Sequence, residues 1–292
     1  MSNFIGGIAG DIIGSSYEWH NVKNVDVITL FNHYCRYTDD SVLTCAVAQW
    51  LVEDEDHTTE HLARLLKTFG LAHPHAGYGH MFRDWLNKEG YEPFGSMGNG
   101  SGMRVSPVGF YASSYEEAKE LAKKSAEVTH NHAEGIKGAQ AIACAIYMAK
   151  TGETKEDIKK KLEDDFGYDL GRHISSFVTV DEDGNVVSRA HKFDATCPVT
   201  VPEAIIAFLK GTDYVGVIKL ALTIGGDSDT IADMAGAIAG AYYGIPEWIV
   251  NKAKSYLSED LLSAVMDFEN LLTKKVTETD KYLEVNATEQ VD

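Results

Sequence analysis

Between residues 231 and 243 the chain is dominated by small residues: Ala232, Ala235, Gly236, Ala237, Ala239, Gly240 and Ala241 fall within one helical pattern and leave few bulky side chains. The separation of packed helices is set by the side chains at their contact. A helix this lean lets neighbouring backbones approach closely, which predicts a position at the centre of a helical assembly. Apolar residues at three- and four-residue steps recur over 42–52, 59–71, 115–126, 134–149, 201–208, 214–222 and 258–272. Residues 155–165 are strongly charged and read as a solvated helix face. Strand signals are scarce. The clear candidate is 175–188, where Phe177-Val178-Thr179-Val180 and Val186-Val187 flank the turn-rich Asp181-Glu182-Asp183-Gly184-Asn185. The expected fold is therefore compact and all-α, with a small peripheral β-hairpin.

The chain has no internal repeat and no linker rich in Pro, Gly or Ser, so a single domain over 1–275 is expected. Beyond it the apolar periodicity stops, and 276–292 is expected to be a disordered acidic tail. The 44 acids exceed the 26 bases, for a net charge of −18. Such a surface repels phosphate backbones and argues against non-specific nucleic-acid binding. It leaves room for a local anion site. Cys35, Cys45, Cys144 and Cys197 are widely spaced and read as buried small hydrophobes in a reducing compartment. Residues 4–14 lack a basic lead and contain Asp11, unlike a secretory signal. The most apolar stretch, 218–243, is broken by Asp227, Asp229 and Asp233, so no membrane span is expected and the cytoplasm is the expected location.

Two acidic strings far apart in the chain share one make-up: Thr38-Asp39-Asp40-Ser41 and Asp227-Ser228-Asp229-Thr230. Each places carboxylates and hydroxyls where an apolar helical pattern begins. Taken singly, either reads as a helix cap with acids in the first turn. Brought together, four Asp carboxylates would carry a charge of about −4, which two divalent cations balance. All-oxygen donors of this kind suit Mg or Mn better than Zn.

Three further segments can carry chemistry. Gly10-Asp11-Ile12-Ile13-Gly14 closes a first helix, and its Asp11 is expected to be paired structurally. Just beyond, Glu18 lies between Tyr17 and Trp19 and is a candidate acid–base group, since apolar neighbours raise a carboxyl pKa. Gly95-Ser96-Met97-Gly98-Asn99-Gly100-Ser101-Gly102-Met103-Arg104 is a glycine-rich loop whose amides could approach a phosphate, helped by the helix start that follows. It also reads as a plain connection. Thr129-His130-Asn131-His132 precedes a helix and fits hydrogen bonding to a polar ligand better than metal ligation.

In this order, these elements resemble the ADP-ribosylglycohydrolase family. The match runs through Gly10-Asp11, Gly14 and Glu18, then Thr38 to Ser41, Gly98 to Arg104 and Thr129 to His132. It continues through Cys197-Pro198-Val199-Thr200-Val201-Pro202-Glu203-Ala204 and Gly225-Gly226-Asp227-Ser228-Asp229-Thr230. It spans about residues 4–244, thins over 155–194 and fails beyond about 272. The resemblance implies an orthogonal helical bundle with a dinuclear Mg2+ or Mn2+ centre in a cleft. Thr38, Asp39, Asp40, Asp227, Asp229 and Thr230 match the metal ligands, and Glu18 a mobile glutamate near the scissile bond, which gives Glu18, Asp40 and Asp229 the expected catalytic roles. Asn99, Gly100, Ser101, Gly102 and Met103 match the segment that holds the ADP-ribose phosphates, and His130 a ligand-contacting histidine. The implied function is a hydrolase that cleaves the glycosidic bond at the distal ribose of an ADP-ribosylated protein or small molecule. A non-catalytic binder on the same fold and a two-metal phosphoesterase are the alternatives. The first would be expected to lose metal ligands, and the second lacks histidines beside the acidic strings.

Overall fold

Glycines on the first helix and small residues on the lean one leave no space between their backbones. In the computed structural model, which describes residues 3–177, 179–180, 186–188 and 192–289, a Cβ added at Gly6 would lie 2.6 Å from the Gly236 carbonyl oxygen. One added at Gly10 would lie 2.1 Å from the Ala232 oxygen, and one at Gly14 would lie 2.5 Å from Asp229 Cα. The two backbones therefore touch at three points about one turn apart, as the lean pattern predicts.

Around this pair the chain is all-α. The first half comprises α1 (Gly6–Gly14), α2 (Asp39–Glu53), α3 (Thr59–Ala72), α4 (His80–Leu86), α5 (Gly100–Met103), α6 (Ser106–Tyr111), α7 (Tyr115–Glu127), α8 (Ala133–Lys150) and α9 (Lys155–Phe166). After the strands β1 (Thr179–Val180) and β2 (Val186–Ser188) come α10 (Cys197–Lys210), α11 (Tyr214–Ile224), α12 (Ser228–Tyr243), α13 (Glu247–Lys254) and α14 (Glu259–Glu289). The central helix, α12, is buried from Ser228 to Gly240 and packs on α1, α8, α10 and α11.

The strands pair antiparallel, Thr179 opposite Ser188 and Val180 opposite Val186. They form the expected hairpin, while Val178 and the turn at 181–185 lie outside the described residues. By its backbone, α14 continues beyond the end of apolar periodicity and into the segment expected as a tail; 290–292 lie outside the described residues. The short helices α4, α5, α6 and α13 span too few turns to show a period. All four cysteines are free and buried. No helix among the described residues is long and apolar enough to cross a membrane.

Candidate active site

The start of α2 is held by a carboxylate from α1. Asp11 accepts from the Thr38 amide at 2.9 Å, the Thr38 hydroxyl at 2.7 Å and the Ser41 amide at 3.2 Å, and also from the Ser41 hydroxyl. One fully buried side chain thus fixes the first turn of α2, and with it Asp39 and Asp40. Thr38 also accepts from the Asp40 amide at 3.4 Å, so the first string does include a cap.

The second string occupies the cap position of α12 without capping it. No backbone amide is bound by the Asp227 side chain in that role. Its carboxylate instead accepts from Asn99 Nδ2 at 2.7 Å. The turn that delivers it contains Gly225 and Gly226 at φ of 81° and 73°, left-handed values that suit glycine. Asn21 Oδ1 accepts from the Gly226 amide at 2.8 Å, and Lys23 Nζ donates to the Thr223 carbonyl at 2.8 Å. The loop after α1 is thereby tied over this turn, which carries Glu18 to the second string.

The strings converge as two clusters with a common member. Single oxygens of Asp11, Asp40 and Asp229 lie within 4.8 Å of one another, and so do oxygens of Glu18, Asp227 and Asp229. After burial, the main influences on Asp40 are the charges of Asp11, Asp229, Asp233 and Asp39, and all raise its carboxyl well above the usual range. Asp229 is raised likewise, by burial first and then by Asp227, Glu18 and Asp11. Asp39 is pushed up to about 8 by burial and then by Asp11 and Asp227. Glu18 reaches about 7, through burial and Asp227 against the opposing charge of Arg36. Oδ1 of Asp40 is buried with no hydrogen-bond partner. An all-oxygen donor set, mutually repelling and with a spare buried oxygen, fits hard divalent cations.

Glu18, Asp39, Asp40, Asp227 and Asp229 form one wall of a cleft of about 550 Å³, together with Thr38 and Thr230. The facing wall is the glycine-rich loop: Gly98, Asn99, Gly100, Met103, Arg104 and His130 line it. The loop is pinned along the segment before α10, with the Asn99 amide bonded to the Ala195 carbonyl at 2.9 Å and the Cys197 amide to the Met97 carbonyl at 3.0 Å. Cys197 Sγ donates to the Gly98 carbonyl at 3.1 Å, and burial pushes its thiol up to about 12. Ala195 and Thr196 reach the cleft beside it.

Not every expected residue faces the cleft. The Ser101 hydroxyl donates to the Gly135 carbonyl at 2.7 Å, and Gly102 packs toward Met234 and Val201, so neither lines the cleft. The helix after the loop, α5, is one turn long and supplies little dipole. The Asn99 side chain is spent on Asp227. Of the two histidines, His132 caps α8 by accepting from the Glu134 amide at 3.1 Å, while His130 faces the loop. Asp11 is structurally paired as expected, and in addition joins the carboxylate cluster. Sequence reasoning gave no site role to Asp233, one turn beyond Asp229; it is fully buried with both carboxylate oxygens unpartnered. An Asp spaced four residues after a candidate ligand was the available signal.

The sequence profile described as ADP-ribosylglycohydrolase matches residues 3–280. ADP-ribosylhydrolase ARH3 of Homo sapiens is 28% identical over 327 aligned positions, covering 88% of this chain and 90% of that protein. ADP-ribosylarginine hydrolase Tri1 of Pseudomonas putida is 26% identical, covering 61% of this chain and 47% of its own. Among solved structures, a chain of an "ADP-ribosylglycohydrolase-related protein complex" superimposes with a TM-score of 0.67 at 21% identity, covering 92% of this chain and 96% of that one.

Proposed function

The chain belongs to the ADP-ribosylglycohydrolase family, and from that premise we propose that it hydrolyses the glycosidic bond at the distal ribose of ADP-ribosylated substrates and releases ADP-ribose. The observation that carries this reading is the pair of carboxylate clusters sharing Asp229, set across one cleft from the glycine-rich loop. Two Mg2+ or Mn2+ ions would be held by Thr38, Asp39, Asp40, Asp227, Asp229 and Thr230, with Asp11 completing the first cluster and Glu18 the second. When bound, such ions supply charge neutralisation and Lewis acidity toward the ribose hydroxyls and water.

The chain's own residues do the rest. Asp11 holds Thr38 and Ser41, and so the first string, in place. Asn99 orients Asp227. Glu18, with a carboxyl near 7, can hold or release a proton at neutral pH while oxocarbenium-like charge develops on the ribose. Gly98 to Gly100 bring backbone close to the diphosphate, since a side chain at Gly100 would strike the His130 ring. Free, buried cysteines fit a reducing location such as the cytoplasm.

The substrate is an ADP-ribosylated protein side chain or small molecule; ADP-ribosylhydrolase ARH3 and ADP-ribosylarginine hydrolase Tri1 are both relatives. The test is a panel of arginine-, serine- and acetyl-linked ADP-ribose substrates incubated with Mg2+ or Mn2+ and read by mass spectrometry. Free ADP-ribose from at least one substrate is expected. Release of a cleaved phosphate, or no turnover on any substrate, would overturn the reading.

A further inference from the structure

A proton count around the second wall of the cleft assigns a task to a residue with no role so far. Arg104 is fully buried beneath the glycine-rich loop. One of its terminal nitrogens donates to the Ser125 carbonyl at 2.7 Å and to the Thr129 hydroxyl at 2.9 Å. A guanidinium nitrogen has two hydrogens here and no capacity to accept, so the Thr129 oxygen must be the acceptor. Thr129 Oγ1 also lies 2.7 Å from His130 Nδ1. Among the described residues this hydroxyl has no other partner, and Thr129 is fully buried. Its single hydrogen is therefore satisfied only by pointing at Nδ1, which must be the bare, accepting nitrogen. The proton of a neutral ring then sits on Nε2. That atom lies 3.0 Å from where a Cβ on Gly100 would stand and 3.6 Å from the corresponding position on Gly98.

We propose that Arg104 is a positioning residue for His130: through the Thr129 hydroxyl it fixes the imidazole as the neutral Nε2–H tautomer, so that His130 presents a hydrogen-bond donor to a phosphate oxygen of the bound ligand. The ligand's identity rests on the function proposed above; the tautomer does not. Burial and the facing charge of Arg104 both hold the His130 ring well below its ordinary pKa, in keeping with a neutral donor. Arg104 itself keeps Nε and its other terminal nitrogen unpartnered, a buried positive charge beneath a loop assigned to a diphosphate.

Histidine ring-15N NMR on the full, ligand-free chain at neutral pH tests the assignment directly. The expected signature for His130 is a protonated Nε2 and a bare Nδ1. A proton on Nδ1, or on both nitrogens, would overturn it. Thr129→Val removes the hydroxyl and keeps the shape. It should lower ADP-ribose affinity about fivefold, the worth of one hydrogen bond, and disturb the His130 ring signals, while Thr129→Ser restores both. A Val variant with unaltered affinity and ring signals would also sink the proposal. A wild-type chain that shows the expected tautomer yet binds no ADP-ribose would instead count against the proposed function.

Discussion

The two walls of the cleft meet the same solvent but solve opposite electrostatic problems. The wall built from α1, α2 and α12 gathers acids whose strongest charged neighbours are one another, and burial raises their pKa values. The wall built from the glycine-rich loop and the start of α8 gathers hydrogen-bond donors over a buried guanidinium, whose own pKa burial lowers to about 9. Under the proposed function each would take a guest of opposite sign: cations for the first, an anion for the second. Asn99 joins the two walls, donating to Asp227 at 2.7 Å. A ligand that is sugar at one end and diphosphate at the other would complete both at once.

The comparison breaks most visibly if the acidic wall is neutralised. Asp229 belongs to both clusters, so Asp229→Asn is expected to cost at least about 10³-fold in turnover with the fold intact, and Asp40→Asn to come close. Near-normal rates with unaltered metal content would dissolve the two-cluster picture. A smaller loss separates chemistry from binding on that same wall. Glu18→Gln should depress single-turnover rates about 10²-fold while calorimetry finds ADP-ribose affinity little altered. Lost binding with intact chemistry would reverse the assignment.

On the other wall the effect should fall on affinity alone. Gly100→Val would drive a methyl group against the His130 ring and lower ADP-ribose affinity about tenfold, with metal content, read by elemental analysis, preserved. Normal binding by this variant would remove the loop from the site. The smallest effect is a shift in melting temperature. Glu18 and Asp39 have folded-state pKa values of about 7 and 8, above their ordinary 4.5 and 3.8. Between those limits the folded state binds more protons than the unfolded one, so stability falls as pH rises. In EDTA the melting temperature should decline by a few degrees from about pH 5 to pH 8, and millimolar Mg2+ or Mn2+ should recover it. A curve indifferent to pH and to both ions would mean that the strings only begin helices.

The acidic wall was legible in the sequence because its chemistry is local: four of its carboxylates and two of its hydroxyls stand in two four-residue strings. The position of α12 was legible too, since a run of Ala and Gly constrains its neighbours whatever they are. What stayed hidden depends on partners far away in the chain. Asn99 looks like a loop residue until its amide meets a carboxylate 128 positions on. Arg104 reads as the basic end of a loop, and nothing local says that it is fully buried. Ser101 and Gly102 share the motif of Gly100, but the single turn of α5 rotates them away from the cleft. Glu18 reads as separate from both strings in the sequence, and the ties of Asn21 to Gly226 and of Lys23 to Thr223 bring it beside Asp227.

The close seam between α1 and α12 sets the gauge of the acidic wall. Asp11 stands between Gly10 and Gly14 on one helix, and Asp229 lies on the other, directly over Gly14. Their spacing is therefore fixed by backbone atoms in contact, which do not change rotamer and cannot spread without separating two buried helices. A calcium ion needs bonds about 0.4 Å longer than magnesium does, and usually more of them. Where an ion sat between Asp11 and Asp229, a seam that resists widening would favour the smaller cation, so it would act as a sieve for ions as well as a joint between helices.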